Sequence, residues 1–123
     1  MDMTTEILGQ RVYGDVINGE QFDTFILSEV MLIDVFKPKK NYVVPRFYTV
    51  KGIFTVILTL DACKQIFIPL GFKSLDSNIL VNIDHINYVK VERFGNTAFF
   101  EGGVTANVIG RKLHLVEHLI KND

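Results

Sequence analysis

The chain has 123 residues, enough for one domain with a hydrophobic core, and its 48% hydrophobic and 22% charged residues exclude a disordered protein. The single cysteine, Cys63, excludes an internal disulfide, and no apolar run approaches the roughly 20 residues that span a bilayer. We therefore expect a cytoplasmic protein with no membrane partner. Its ten phenylalanines, four tyrosines and many β-branched residues favour strands.

The net charge of −1 is unevenly distributed along the chain. Residues 1–34 carry seven acidic residues and one basic residue, which is a net charge of −6. Residues 35–112 carry eleven basic and five acidic residues, which is a net charge of +6. A basic face could contact phosphates, although chance clustering on a solvated surface would give the same asymmetry.

The first third of the chain predicts a hairpin and then a buried strand. Residues 11–17 and 21–27 are strand-like and flank Asn18-Gly19, a pair that supplies the positive φ angles of a tight turn. Residues 30–36 form a nearly continuous apolar run, interrupted by Asp34, which suits a buried strand.

Two more strands follow. After a polar loop at residues 37–41, residues 42–50 predict a strand that contains Pro45. Because proline cannot donate a ladder hydrogen bond, we expect this strand to lie at an edge or to be bulged. A turn at residues 51–52 then leads into a strand over residues 53–58.

A short helix is predicted next, over residues 60–68. Thr59 can cap its first turn, and Asp61 favours the positive end of the helix. Pro69 and Gly71 then end the helix.

The rest of the chain predicts more strands and a terminal helix. The strands are expected at residues 79–83, 86–93, 98–101 and 105–109, with turns at 95–96 and 102–103. Apolar residues at helical spacing predict a final helix over residues 112–121. The fold class is therefore mainly β, with a short central helix and a C-terminal helix.

No pattern in the chain indicates an enzyme or a cofactor. His114, Glu117 and His118 match a zinc-peptidase pattern, but a catalytic site needs a third ligand, and the chain ends five residues later. Surface histidines beside a solvated glutamate are the simpler interpretation. Cys63 has no supporting histidine or glycine elbow, so we expect it in the core.

Residues 71–112 resemble the core of the LytTR-type DNA-binding domain family. Phe72, Val81, Asn82 and Ile86 stand at the places of that family's signature residues. The segments that follow also match the family. In order, they are Tyr88-Val89-Lys90-Val91, Ala98-Phe99-Phe100, Gly102-Gly103 and Val108-Ile109-Gly110-Arg111-Lys112.

The resemblance implies an elongated arrangement of small antiparallel β-sheets in one domain over residues 1–123. Residues 1–27 would form an N-terminal hairpin region, and residues 28–123 would form the core. It also implies a bacterial transcriptional regulator that binds double-stranded DNA sequence-specifically and inserts loops into the major groove.

Three regions of DNA contact are implied: the turn at residues 51–54, the triplet at residues 76–78, and Arg111. Arg111 could pair with guanine and Asn78 with adenine, while lysines hold phosphates. Asp76 stands where the family has a histidine, and could accept a bond from cytosine. The candidate DNA-binding residues are Lys51, Phe54, Lys73, Asp76, Ser77, Asn78, Arg111 and Lys112.

Two other functions remain open on the sequence. A degenerate module with Asp76 and an acidic first third could bind a protein partner, as an antirepressor does, without binding DNA. An unrelated β domain that binds a hydrophobic ligand is suggested by the aromatic content alone. We expect no small-molecule substrate, and a homodimer on paired DNA half-sites is a hypothesis.

Overall fold

Strands dominate the computed structural model, which describes residues 1–121. The strands are β1 Glu6–Tyr13, β2 Val16–Ile26, β3 Val30–Lys39, β4 Tyr42–Thr49, β5 Gly52–Thr55, β6 Lys73–Asp76, β7 Ile79–Val81, β8 Tyr88–Glu92, β9 Gly95–Phe99 and β10 Thr105–Val108. A seven-stranded sheet has the order β2-β1-β5-β4-β3-β7-β6, and a three-stranded sheet has the order β10-β9-β8. Neighbouring strands pair antiparallel, so the mainly β class is confirmed, with one sheet larger than expected.

The two sheets and one helix enclose two hydrophobic cores. One core lies between the large sheet and α1, Leu60–Phe67, and the other lies between the large sheet, the small sheet and the C-terminal segment. Successive strand residues point to opposite faces, so Leu32 belongs to one core and Ile33 to the other. This double burial explains the continuous apolar run of β3. The signature residues Phe72, Val81 and Ile86 are buried as well.

The predicted N-terminal hairpin turn was wrong. The chain turns at Gly14, whose φ is 63°, while Asn18 and Gly19 lie inside β2. There the register with β1 shifts, and the side chain of Asn18 accepts a hydrogen bond from the amide of Glu20 at 3.1 Å. The turn-forming chemistry of Asn18 therefore makes a bulge in a strand.

The strand that contains Pro45 lies between two others, so the predicted edge position is wrong for β4 as a whole. However, β5 pairs only with residues 47–49 of β4, and Pro45 lies beyond that ladder. The predicted loop at 37–41 is shorter than expected, because β3 continues to Lys39 and Asn41 turns the chain with a φ of 64°. The strand predicted over 53–58 ends at Thr55.

The central helix follows the prediction. The hydroxyl of Thr59 accepts a hydrogen bond from the amide of Ala62 at 3.1 Å, which caps the first turn. A short 3₁₀ turn at Ile68–Leu70 follows, and Gly71 ends it with a φ of 112°. Only glycine adopts that angle without strain.

The predicted C-terminal helix is present, and it has the tighter 3₁₀ form. It spans Gly110–Leu119 and is broken at Val116, whose φ is −126°. Val116 is buried in the core beside the small sheet, and Leu113, Leu115, Leu119 and Ile120 pack against that core. Apolar residues on both sides of the break therefore hold the segment on this core.

Two details of the second half also differ from the predictions. The strand β6 was not predicted, because its residues alternate without a long apolar run. The turn expected at residues 95–96 lies at Arg93 and Phe94, and Gly95 pairs with Glu92 as the first residue of β9. Asn82 accepts a hydrogen bond from the amide of Asp84 at 3.2 Å and holds a turn.

Candidate nucleic-acid interface

The triplet Asp76-Ser77-Asn78 forms a tight turn between β6 and β7. Asp76 pairs with Ile79 across the hairpin, and the side chains of Ser77 and Asn78 are exposed at its tip. The carboxylate of Asp76 accepts a hydrogen bond from the Ser77 amide at 2.6 Å, which fixes the turn. The two exposed side chains are therefore presented on a short, held hairpin.

A lysine of α1 also fixes this turn. The ammonium group of Lys64 donates a hydrogen bond to the carbonyl oxygen of Ser77 at 2.7 Å. This contact joins residues that are 13 positions apart, so it follows from the packing of α1 beside the hairpin. Sequence reasoning missed Lys64, and no local pattern distinguishes it from other solvated helix lysines.

The segment around Arg111 lies against the same turn. The amide of Ile109 donates to the carbonyl oxygen of Leu75 at 3.0 Å, which continues the pairing of β6 beyond the large sheet. The side chain of Asn107 donates to the carboxylate of Asp76 at 3.1 Å. The second and third candidate regions are therefore one continuous surface, which we call the composite surface: Lys64, Asp76, Ser77, Asn78, Asn107, Arg111 and Lys112.

Asp76 is the acidic residue of the composite surface. The hydrogen bond from Asn107 is the largest cause that lowers the pKa of Asp76 below its usual value, followed by the bonds from Ser77. The positive charge of Arg111 lowers the pKa further. Asp76 is therefore ionised at neutral pH and orients Asn107.

Arg111 and Lys112 open the 3₁₀ segment directly after β10. Arg111 is exposed and Lys112 is half-buried, and neither forms an ion pair with any of residues 1–121. The same holds for Lys64 and Lys73. Lys73 begins β6 opposite Val81, at the other end of the hairpin from the triplet. Lys73, Arg111 and Lys112 remain available to a polyanion, whereas Lys64 is bound to the Ser77 carbonyl oxygen.

Other basic residues of the central segment are engaged within the protein. Arg46 binds the carboxylate of Asp34 through two nitrogens, both at 3.0 Å, and its guanidinium lies over the rings of Phe36 and Tyr48. Lys90 pairs with Glu92 at 3.5 Å. The charge of +6 in residues 35–112 therefore overstates the free positive charge.

The first candidate region differs from the other two. The ammonium group of Lys51 donates a hydrogen bond to the carbonyl oxygen of Thr24 at 2.8 Å, so this lysine binds the backbone of β2. Phe54 is 0% exposed and stacks on Phe25, with ring centroids 5.0 Å apart, while the guanidinium of Arg11 covers its ring. The prediction that Phe54 contacts DNA is wrong, because its side chain is enclosed by the core.

This region also lies away from the composite surface. The β4–β5 turn is at the end of β3 where Val30 faces Thr49. The strand β7 pairs with Leu32 and Ile33 and runs antiparallel to β3, so the triplet lies toward the opposite end of the sheet. Two intervening strands, β4 and β3, separate β5 from β7.

The other sequence candidates have no chemical role that the structure indicates. Cys63 is 0% exposed, and burial raises the pKa of its thiol to about 12, as suits a core residue. Among residues 1–121, no group of three or more metal-binding side chains comes together, and the histidines at 114 and 118 are exposed. No helix in this part of the chain is both long and apolar enough to cross a membrane.

Open grooves are present on the described part of the chain. Two of them have volumes of about 510 Å³ each. One lies between the β4–β5 turn and Glu101, and the other between the β1–β2 hairpin and Tyr42. Both are shallow and mixed in polarity, unlike the enclosed apolar sites that bury most of a small ligand.

Comparisons with known proteins give one informative result. No protein-family model and no curated protein sequence matches the chain. Among solved structures, the chain is similar to the LytTr DNA-binding domain of a putative methyl-accepting/DNA response regulator from Bacillus cereus, with 13% sequence identity and a TM-score of 0.66. The match covers 93% of this chain and 94% of that domain. The chain therefore has the LytTR-type fold that the residues around Phe72 and Asn82 predicted.

Proposed function

We propose that this chain, which has the fold of a LytTr DNA-binding domain, is a sequence-specific DNA-binding regulator of transcription and that it binds through the composite surface. One observation carries this proposal. The hydrogen bonds from Asn107 to Asp76 and from Ile109 to Leu75 hold the β6–β7 turn and the Arg111 segment side by side. Two groups of base-reading side chains can therefore enter one stretch of DNA together.

The composite surface suits the major groove in size and chemistry. That groove is about 12 Å wide and admits a two-stranded hairpin. Arg111 is exposed and can pair with both acceptors of a guanine, while Asn78 can pair with an adenine. Ser77 can bond to a base or to a phosphate. Sequence specificity would come from these three side chains.

Lysines around the surface would set the register of the protein on the DNA. Lys112 follows Arg111 and can approach a phosphate that flanks the contacted bases, while Lys64 holds the β6–β7 turn through the Ser77 carbonyl oxygen. Lys73 is further away, at the start of β6. Each phosphate that a lysine neutralises contributes roughly −0.9 to the slope of log K against log salt.

A selection of binding sites from a random duplex pool tests the proposal. The native chain is expected to enrich one motif, and Arg111→Ala is expected to bind more weakly and to lose discrimination at one base pair, by about 1–3 kcal/mol. Lys121→Ala is the matched control, because this exposed lysine lies over Tyr88, at the far end of β8 from the turn at residues 93–94. No enriched motif, with binding that vanishes at moderate salt, would contradict the proposal.

A protein partner is the second candidate function, and Asp76 favours it. This ionised carboxylate lies at the base of the exposed triplet, where it would repel a phosphate. A surface that holds Asp76 among Lys64 and Arg111 could instead bind a mixed-charge protein surface. Co-purification with one partner, together with no affinity for any duplex, would select this function.

The number of copies on DNA follows from the same selection. If the enriched motif contains two half-sites, two copies bind together, as sequence reasoning suggested. A single site would indicate a monomer. The mass of the complex with the enriched duplex distinguishes the two.

A further inference from the structure

The tip of the β8–β9 hairpin carries the most exposed aromatic side chain among the large hydrophobic residues of the described chain. Phe94 is 93% exposed, whereas Tyr13, Phe22 and Tyr42 are between 51% and 55% exposed. The guanidinium of Arg93 lies 5.3 Å from the centre of the Phe94 ring. The hairpin therefore ends in an apolar side chain beside a positive charge.

Strand pairing extends to the base of this tip, and Phe94 lies outside both cores. Five residue pairs from Tyr88 to Glu92 join β8 to β9, and the last of them, Glu92 with Gly95, closes the turn directly at Arg93 and Phe94. The strand β9 also pairs with β10 on its other side. An exposed ring on so short a turn contributes little to folding, because the core residues lie on the sheet behind it.

The tip lies next to the Arg111 segment. Asn96, two residues after Phe94, pairs with Val108, and its side chain donates to the Val108 carbonyl oxygen at 3.2 Å. The β9–β10 ladder ends at this pair, which lies two residues after Phe94 and three residues before Arg111. The β8–β9 tip therefore extends the composite surface on the side away from the β6–β7 turn, since Asn107 and Ile109 connect the segment to that turn.

We propose that Phe94 contacts the 5-methyl group of a thymine in the major groove, beside the base pair that Arg111 reads. This inference rests on the proposed function. Thymine is the base that presents an apolar group in that groove, and phenylalanine is one of the side chains that contact it. Arg93 would contact the neighbouring phosphate and hold the ring toward the base.

The experiment uses the duplex enriched by the native chain, prepared once with thymine and once with deoxyuridine at the same positions. Deoxyuridine pairs as thymine does but lacks the methyl group. The native chain is expected to bind the deoxyuridine duplex about three- to fivefold more weakly for the loss of one buried methyl. Phe94→Ala is expected to bind both duplexes equally, and Phe94→Leu to keep part of the difference.

Phe22→Ala is the matched control, because Phe22 is an exposed aromatic on β2, at the far edge of the large sheet. It is expected to discriminate between the two duplexes as the native chain does. The melting temperatures of all three variants are expected to stay close to that of the native chain, since both side chains are exposed.

Two results would overturn the inference while leaving the proposed function in place. One is a native chain that binds both duplexes equally, and the other is Phe94→Ala with the same discrimination as the native chain. If no duplex is enriched at all, the proposed function fails, and this inference fails with it.

Discussion

The two turns that sequence reasoning identified as DNA contacts have different environments. In the β4–β5 turn, Lys51 is bound to Thr24 and Phe54 is enclosed by aromatic rings. In the β6–β7 turn, the backbone is bound by Lys64, while the side chains of Ser77 and Asn78 are exposed. A position in a family motif therefore does not establish that a side chain is available. Whether a side chain is free to contact DNA depends on which groups the rest of the fold places next to it.

The largest expected effect is a difference between the two turns in how far a substitution lowers the free energy of unfolding. Phe54→Ala removes a fully buried ring that contacts Phe25 and Arg11, and is expected to lower the free energy of unfolding by about 3–5 kcal/mol. Asn78→Ala removes an exposed side chain and is expected to change it by less than about 0.5 kcal/mol. Urea denaturation measures both. A loss below about 1 kcal/mol for Phe54→Ala would show that this turn is not part of the core.

The next largest effect is a difference in affinity for DNA between variants of the composite surface and variants of the β4–β5 turn. Arg111→Ala is expected to weaken binding to the enriched duplex by about 1–3 kcal/mol, because a bidentate contact to a base is lost. Lys51→Ala is expected to change affinity less than about twofold, because Lys51 already binds a carbonyl oxygen. Fluorescence anisotropy of a labelled duplex measures both. Equal losses would mean that the β4–β5 turn belongs to the interface.

Salt dependence distinguishes the lysines in the same way. Lys112→Ala is expected to reduce the slope of log K against log salt by about 0.9, because one phosphate contact is lost. The slope for Lys51→Ala is expected to match that of the native chain. The affinities are measured by titration at several salt concentrations. A native slope for Lys112→Ala would remove this residue from the phosphate contacts.

The smallest effect concerns pH. The pKa of Asp76 is lowered in the folded protein, so its ionised form stabilises the fold at pH values above the ordinary value of 3.8. That contribution is lost as the pH falls below 3.8 through the folded pKa. The free energy of unfolding of the native chain is therefore expected to approach that of Asp76→Asn in acid. Because Asp76 is largely solvated, the difference at neutral pH is expected to stay below about 1 kcal/mol. A difference that grows in acid would contradict the assigned role.

Some elements of the fold follow directly from the sequence. The apolar run of β3 predicts a buried strand, because so many apolar residues in succession need cover. Thr59 and Gly71 mark the ends of the helical stretch, because capping acts locally. The hairpin turn predicted at Asn18-Gly19 was wrong, because these residue types form either a hairpin turn or a bulge. Which of the two forms depends on how β2 pairs with β1. The C-terminal helix was predicted, but its break at Val116 could not be, because the spacing of the apolar residues does not show it.

The fold was predicted, and the candidate contact residues stay predictions. The residues around Asn82 and Arg111 lie within one signature, which indicated the fold and suggested two of the contact regions. Lys64, Asn107 and Phe94 could not be found, because their relevance arises only when α1, β10 and the β8–β9 turn come together in the fold.

Hydrogen exchange of backbone amides, with and without the enriched duplex, tests the central claim most directly. The composite surface is expected to show slower exchange in the complex at residues 76–78 and 107–112, with residues 51–54 unchanged. Protection that appears at residues 51–54, or on β1 and β2, with none at residues 76–78, would contradict the claim that one continuous surface reads the DNA.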